Sequence, residues 1–220
     1  MSIYAAAPES GEKHLLDVPG LDYQVELPWV RVPSDGGHVR IASLNLVGQI
    51  KLNHDMGLLM AQRIRGAVPD LEGVAILTVV EKALQLTQVA AHSLGLDAVA
   101  VAYNRVKPHM EADARPLVQV GSESVTSGGK MLALYERDIN ILAKAYRGVL
   151  VIDDVVSSGG TIIGLVDLLD AALERAGKPS PEVLGIFCAA REGDGHIRLS
   201  APVHSLATLP EPRRDDQSHG

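Results

Sequence analysis

The stretch VLVIDDVVSSGGTI, residues 149–162, joins an apolar run, two adjacent carboxylates and a loop of small residues. The run has the composition of a strand buried on both faces of a sheet, and it ends at Asp153 and Asp154. Loop amides and a helix N-terminus bind anions such as phosphate, whereas carboxylates suit hydroxyl groups or a metal ion. A ligand with a phosphate at one end and a diol at the other, such as a ribose 5-phosphate, fits both halves. The small residues of the loop, which add hydroxyl donors and permissive backbone, are Ser157, Ser158, Gly159, Gly160 and Thr161.

The composition excludes several classes of protein. Of the 220 residues, 46% are hydrophobic and 21% are charged, which excludes a wholly disordered chain. The net charge of −7 argues against a nucleic-acid partner, because binding to phosphates requires a basic surface. The single cysteine, Cys188, excludes an intramolecular disulfide. We expect a cytoplasmic protein with no membrane partner, since no apolar run approaches the ~20 residues of a membrane helix and no signal-peptide pattern is visible.

Strand and helix patterns alternate on both sides of the central stretch. This alternation predicts an α/β fold with a parallel sheet flanked by helices, and in such sheets ligands bind beyond the carboxyl ends of the strands. The predicted strands are 24–32, 39–46, 74–80, 98–103, 149–152 and 183–189, with a hairpin over 117–135. The predicted helices are 50–66, 84–95, 138–146 and 160–176.

The chain is expected to form one domain over residues 23–210. Residues 1–22 hold several prolines and glycines among scattered charges, and they predict a partly flexible N-terminal arm. Residues 211–220 are polar and predict a flexible tail.

The central stretch resembles the signature with which type I phosphoribosyltransferases bind phosphoribosyl pyrophosphate (PRPP). That signature has four apolar residues, two acids, two apolar residues, two small residues and Gly-Gly-Thr, and every position agrees. The resemblance implies the fold of that family, with a small hood formed by residues 23–48 and the region after 190. It implies that Asp153 and Asp154 hold the ribose hydroxyls and contribute to a Mg²⁺ site. It also implies that Ser157–Thr161 hold the 5-phosphate and that Val155 forms a wall beside the base.

Residues 73–135 resemble the purine-specific members, above all the adenine phosphoribosyltransferases. The family's pyrophosphate-binding loop corresponds to VVEKAL (79–84), where Lys82 matches the basic residue and Ala83 replaces a glycine. Arg105 and Lys107 match the basic cluster after the next strand, so the resemblance implies that they bind pyrophosphate and stabilise it as the leaving group. Tyr103 and Asn104 stand where the family usually has Arg-Lys.

The family also closes a mobile loop over its active site. Residues 121–130 of the predicted hairpin correspond to that loop. Thr126 stands where the adenine enzymes have an acid that is proposed to assist catalysis. The flexible-loop residues implied by the resemblance are Ser124, Thr126, Gly128, Gly129 and Lys130.

These likenesses predict an enzyme that transfers phosphoribose from PRPP to a purine, adenine first, in nucleotide salvage. The implied cofactor is Mg²⁺, and the implied assembly is a homodimer. Two alternatives stay open. One is a regulatory protein that binds PRPP without turnover, which the replacements at Ala83, Tyr103, Asn104 and Thr126 favour. The other is a phosphoribosyltransferase for another base, such as xanthine or guanine.

Overall fold

The computed structural model describes residues 1–5, 10–34, 37–106, 117–121, 131–193 and 199–214. The strands are β1 (Ser2–Tyr4), β2 (Lys13–Leu16), β3 (Tyr23–Ser34), β4 (Gly37–Ala42), β5 (Val74–Val79), β6 (Ala100–Ala102), β7 (Leu117–Gly121), β8 (Met131–Tyr135), β9 (Gly148–Val156), β10 (Val183–Glu192), β11 (Val203–Leu209) and β12 (Arg213–Arg214). The helices are α1 (Ile50–Ala67), α2 (Leu84–Ser93), α3 (Glu136–Leu142) and α4 (Gly160–Arg175).

Five parallel strands form the core sheet in the order β11-β10-β9-β5-β6. Alternate residues of each central strand enter hydrophobic clusters on opposite faces of this sheet. Ile152 packs with α1 and α2 on one face, and Val151 packs with α3 and α4 on the other. Burial on both faces explains why these strands are continuously apolar in sequence. The predicted α/β class, a parallel sheet flanked by helices, is confirmed.

A second sheet, the hood sheet, contains β1, β3, β4 and β12 in that order, with β2 paired to β3. Its long strand β3 carries Trp29, which is buried and packs edge-on against His14 of β2. Arg213 of β12 lies over the other side of the Trp29 ring, 3.8 Å from its centre, and hydrogen-bonds Glu12 at 2.8 Å. The two ends of the described chain therefore meet in one small sheet.

The hood sheet differs from the sequence prediction at both of its boundaries. The N-terminal arm predicted over 1–22 holds β1 and β2, whose short sequences acquire strand structure by pairing with β3. The region after 190 was predicted as hood, but the structure places β11 at the edge of the core sheet, parallel to β10. Among the described residues after 190, only β12 joins the hood sheet.

The helices keep close to their predicted ranges, with one exception. In α1, Leu52, Met56, Met60 and Ile64 recur every four residues and are buried, as helical periodicity requires. The helix predicted over 138–146 runs from Glu136 to Leu142 instead, and within it the buried Asp138 accepts a hydrogen bond from the Val101 N–H at 3.0 Å. Of the helices in the described ranges, none is both long and apolar enough to span a membrane.

Gly57 lets α1 approach α2 closely. A Cβ at this position would lie 2.6 Å from the Val89 Cβ and 3.2 Å from the Leu86 carbonyl oxygen, both of which are fixed to the α2 backbone. We expect Gly57→Ala to lower the free energy of unfolding by about 1–3 kcal/mol in urea melts, because the helices must move apart. Gly66→Ala is the control in the same helix, since a Cβ there meets open space. Equal stability of the two variants would contradict this close packing.

Candidate functional site

The site lies where the order of the core sheet reverses. After β5 the chain adds β6 on one side and then crosses to add β9 on the other, so a crevice opens between the carboxyl ends of β5 and β9. A buried chain of hydroxyl groups ties these strands together below the crevice. Thr87 of α2 donates to Thr78 of β5 at 3.2 Å, and Thr78 donates to the carbonyl oxygen of Ile152 in β9 at 2.8 Å. The sequence analysis missed this link. Its only signal in the sequence is that two threonines stand inside apolar segments.

The two predicted acids at the end of β9 have different surroundings. Asp153 is only 4% exposed, and its Oδ1 accepts a hydrogen bond from the Asp154 backbone N–H at 2.9 Å. The Asp154 side chain is 15% exposed and borders the crevice. Asp153 therefore holds the backbone on which Asp154 is presented.

Lys82 enters the same crevice from the loop between β5 and α2, in which the Val80–Glu81 peptide is cis. Its Nζ lies 4.0 Å from Oδ2 of Asp154, and about half of its side chain is exposed. The ammonium group is thus held at the crevice by one carboxylate and stays open to a further anion. Two residues far apart in the sequence are therefore brought together at the crevice.

The loop between β9 and α4 has the geometry of an anion site. Gly159 has a φ of +81°, a left-handed conformation that glycine adopts without strain, and α4 begins directly at Gly160. Ser157 and Ser158 are exposed, while Gly160 and Thr161 are half-buried in the first turn. The free N–H groups of this turn, together with the serine hydroxyls, can receive a phosphate.

A cleft of about 610 Å³ connects these elements with the hood sheet, a size typical of small-molecule sites. Its polar side carries Lys82, Asp154, Ser157 and Ser158, which are four of the predicted site residues. Val155, the predicted wall of the base, also lines it. Besides Ser34 and Ser43, the lining residues from β3, β4 and the segment after β4 are apolar, as are Leu209 at the end of β11 and Pro212 before β12. The apolar residues of the lining from these segments are Val32, Pro33, Val39, Ile41, Ala42, Leu44, Leu209 and Pro212.

Glu192 is a cleft residue that the sequence analysis missed. It ends β10, opposite Leu209 of β11 in register, and both residues line the cleft. Burial raises the pKa of the Glu192 carboxyl. The only signal in the sequence was that a parallel strand continued into a charged residue, at the edge of the sheet where ligands bind.

Two other predicted residues, Ala83 and Arg105, stand apart from this cleft. Ala83 is buried at the start of α2, and Arg105 is exposed after β6, outside the cleft lining that the described residues form. Lys107 and the flexible-loop residues lie outside the described residues; the latter are Ser124, Thr126, Gly128, Gly129 and Lys130.

Tyr103, which replaces a basic residue of the family, holds the hairpin of β7 and β8 to the core sheet. Its backbone exchanges two hydrogen bonds of 2.8 Å with Ala133 of β8. Its ring lies 5.6 Å from the ring of Tyr135. Burial, together with a hydrogen bond to Tyr135, raises the pKa of the Tyr103 hydroxyl to about 12. The hydroxyl therefore stays neutral and contributes no charge to the crevice.

The donor chemistry of the cleft fits a magnesium ion. Mg²⁺ in protein sites takes one or two carboxylates and keeps waters or substrate phosphates as its other ligands. Asp154 supplies such a carboxylate, with the Ser157 and Ser158 hydroxyls on the same cleft. Within the described part of the chain, no group of three or more His, Cys, Asp or Glu residues could hold a metal by itself. A metal at this site would therefore share its coordination with a ligand.

Neither the protein-family models nor the sequences of curated proteins give a match to this chain. Solved structures do. Adenine phosphoribosyltransferase from Rhodothermus marinus superposes with a TM-score of 0.52 at 17% identity, over 82% of this chain and 94% of that one. The Saccharomyces cerevisiae enzyme gives 0.51 at 17% over 81% and 93%, and the Giardia lamblia enzyme gives 0.51 at 15% over 82% and 93%. We conclude that the chain has the type I phosphoribosyltransferase fold, as its central motif predicted.

Proposed function

We propose that the protein is a phosphoribosyltransferase that joins a purine, adenine first, to the phosphoribosyl group of PRPP and releases pyrophosphate. The observation that carries this proposal is the meeting of Lys82 and Asp154 in one cleft beside a phosphate-type loop. A cation, a carboxylate and an anion site at a topological switch point match the three polar parts of PRPP. These parts are its pyrophosphate, its ribose hydroxyls and its 5-phosphate.

Positioning is the first contribution of the protein. The first turn of α4, with Ser157, Ser158 and Thr161, receives the 5-phosphate. Asp154, supported by Asp153, accepts hydrogen bonds from the ribose hydroxyls. Holding both ends of the phosphoribosyl group fixes C1 relative to the base, which removes much of the entropic cost of the reaction.

Stabilisation of the leaving group is the second contribution. A ring nitrogen of the purine forms a bond to C1, the bond from C1 to pyrophosphate breaks, and its electron pair leaves with the pyrophosphate oxygen. The proton of the purine nitrogen passes to solvent or to a base. Negative charge grows on the pyrophosphate, where Lys82 stabilises it, with Arg105 and Lys107 as the further cations that the resemblance implies. When bound, Mg²⁺ would neutralise further charge on the pyrophosphate.

The solved structures support the ligand class. The yeast enzyme was crystallised with adenine and an imino-altritol bisphosphate, and the Giardia enzyme with 9-deazaadenine. In this chain apolar residues of β3 and β4 line the same cleft as Val155, and a planar base fits against such surfaces. A homodimer stays a prediction from the resemblance, and a cytoplasmic location stays a prediction from the sequence pattern.

The deciding experiment is a pyrophosphate-release assay with purified protein, PRPP and Mg²⁺. Adenine, hypoxanthine, guanine, xanthine, uracil and orotate are added one at a time. We expect release that depends on the base, greatest with adenine. Fastest release with guanine or xanthine would keep the reaction and change the base. If no base causes pyrophosphate release while calorimetry still detects PRPP binding, the result would favour the regulatory protein. The absence of both pyrophosphate release and PRPP binding would overturn the proposal.

Lys82 is expected to contribute mainly to binding of the pyrophosphate group. We expect Lys82→Gln to raise the KM for PRPP roughly 10-fold or more, which corresponds to the loss of one charge-assisted hydrogen bond. Initial rates over a PRPP titration measure this effect. The control is Lys178→Gln, an exposed lysine just beyond the opposite end of α4. If both variants keep the wild-type KM, Lys82 does not bind PRPP.

A further inference from the structure

Glu192 places a carboxylate in the cleft beside apolar residues of the neighbouring core strands. Leu209 of β11 is its register partner, Val155 of β9 lies one step back along the sheet, and both line the same cleft. Val155 pairs in register with Ala190, two residues before Glu192, so the carboxylate stands just beyond the wall assigned to the base. Apolar surface of this kind holds a purine ring but does not distinguish one purine from another.

The Glu192 carboxylate has no partner among the described residues. The structure gives it neither a hydrogen bond nor an ion pair, and burial is the sole cause of its raised pKa. Lys82, the cation of the cleft, is paired with Asp154 instead. A half-buried carboxylate loses hydration without compensation until a donor reaches it, so among the described residues this acceptor is left for a ligand.

We propose that Glu192 determines base specificity by accepting a hydrogen bond from the exocyclic amino group of an aminopurine. This inference rests on the proposed transfer reaction and deepens it. An ionised carboxylate has acceptor sites only, so an amino group satisfies it and a carbonyl oxygen at the same place repels it. The same negative charge disfavours a base that is itself an anion, such as orotate.

Two pairs of purines isolate this interaction. Adenine and hypoxanthine differ at the 6-position by an amino group against an oxygen, and guanine and xanthine differ in the same way at the 2-position. The experiment measures kcat/KM for these four bases with wild-type protein and with Glu192→Gln, at saturating PRPP. The change to glutamine preserves shape, and its amide offers a donor as well as an acceptor.

We expect the wild-type protein to prefer the amino member of one pair, adenine over hypoxanthine first. Glu192→Gln should reduce that preference on the order of 10- to 100-fold, the value of a hydrogen bond to a charged group, and leave the KM for PRPP within about twofold. The same collapse in the guanine–xanthine pair would support the inference, with the base bound in another orientation. Glu211→Gln is the control, because Glu211 is a nearby exposed acid outside the cleft lining.

The outcomes separate this inference from the proposed function. If wild-type protein transfers phosphoribose without preferring an amino base, or if Glu192→Gln keeps the preference, the role of Glu192 is overturned. The proposed transfer reaction is retained in either case. If no base is consumed, calorimetry with adenine alone decides. Adenine binding that Glu192→Gln weakens would support the contact without turnover, whereas absence of binding, or equal binding by both proteins, would overturn it.

Discussion

Replacement of Asp154 by asparagine should reduce kcat/KM for PRPP by about 1,000-fold, the largest effect that we expect from a single conservative change. Two causes act together. The carboxylate loses the charge that accepts hydrogen bonds from the ribose hydroxyls. Lys82, 4.0 Å away, loses the partner that holds its ammonium group at the crevice. Pyrophosphate release with varied PRPP, together with calorimetric binding of PRPP, measures the loss.

Two further variants test whether this loss comes from the Asp154 carboxylate itself. Asp97→Asn removes a charge from an exposed aspartate before β6, at the amino end of the core sheet, and should leave activity unchanged. In Asp153→Asn the amide oxygen can still accept the hydrogen bond from the Asp154 N–H, so a purely positioning role predicts a smaller loss than in Asp154→Asn. Full activity of Asp154→Asn would mean that the ribose is not bound at the end of β9.

Gly159→Ala should raise the KM for PRPP by about 100-fold, since displacement of a binding group by 1 Å is enough for such a loss. The glycine has a φ of +81° immediately before α4, where a phosphate must come close to backbone amides. We expect a methyl group at this place to hinder the approach of the phosphate and to strain the backbone. Titration of PRPP in the release assay gives the KM, and thermal unfolding gives the strain.

A matched change at the other end of α4 separates the effect of backbone strain from the effect on PRPP binding. Gly177 follows α4 with a φ of +65°, and a Cβ there would meet no atom within 4 Å. Gly177→Ala should therefore cost the same ~1–2 kcal/mol of left-handed strain and keep the wild-type KM. Equal KM values in the two glycine variants would show that the loop before α4 does not hold the phosphate.

The features predicted best from sequence are those that depend on neighbouring residues. The strand, the acid pair, the glycine turn and the start of α4 lie within residues 149–162, so one continuous pattern defines them. The bounds predicted for α3 differ from the observed ones, and its buried contact with β6, in which the Val101 N–H donates to Asp138, is one that no local pattern shows. The hydroxyl chain through Thr78 and Thr87 was missed for the same reason.

Features that depend on distant pairing were predicted least well. β1 and β2 are short and mixed in polarity, and they are strands because β3 offers them backbone partners. β11 reads VHSLATL, an alternation that suits a half-covered edge strand as well as a hood strand, and its place follows only from its register with β10. Glu192 belongs to no motif. Its position in the cleft results from the length of β10 and from the way the hood sheet covers the carboxyl ends of the core strands.

The hood sheet has a consequence for how the protein is made. Its strands β1 to β4 leave the ribosome before the strands of the core sheet, whereas β12, which covers the edge of β4, follows β11. Until Arg213 arrives, Trp29 lacks the cation that lies over its ring, and Glu12 lacks one of its two arginine partners. The nascent chain therefore carries an unpaired β-edge until β12 emerges, and that edge is where we expect one growing chain to pair with another.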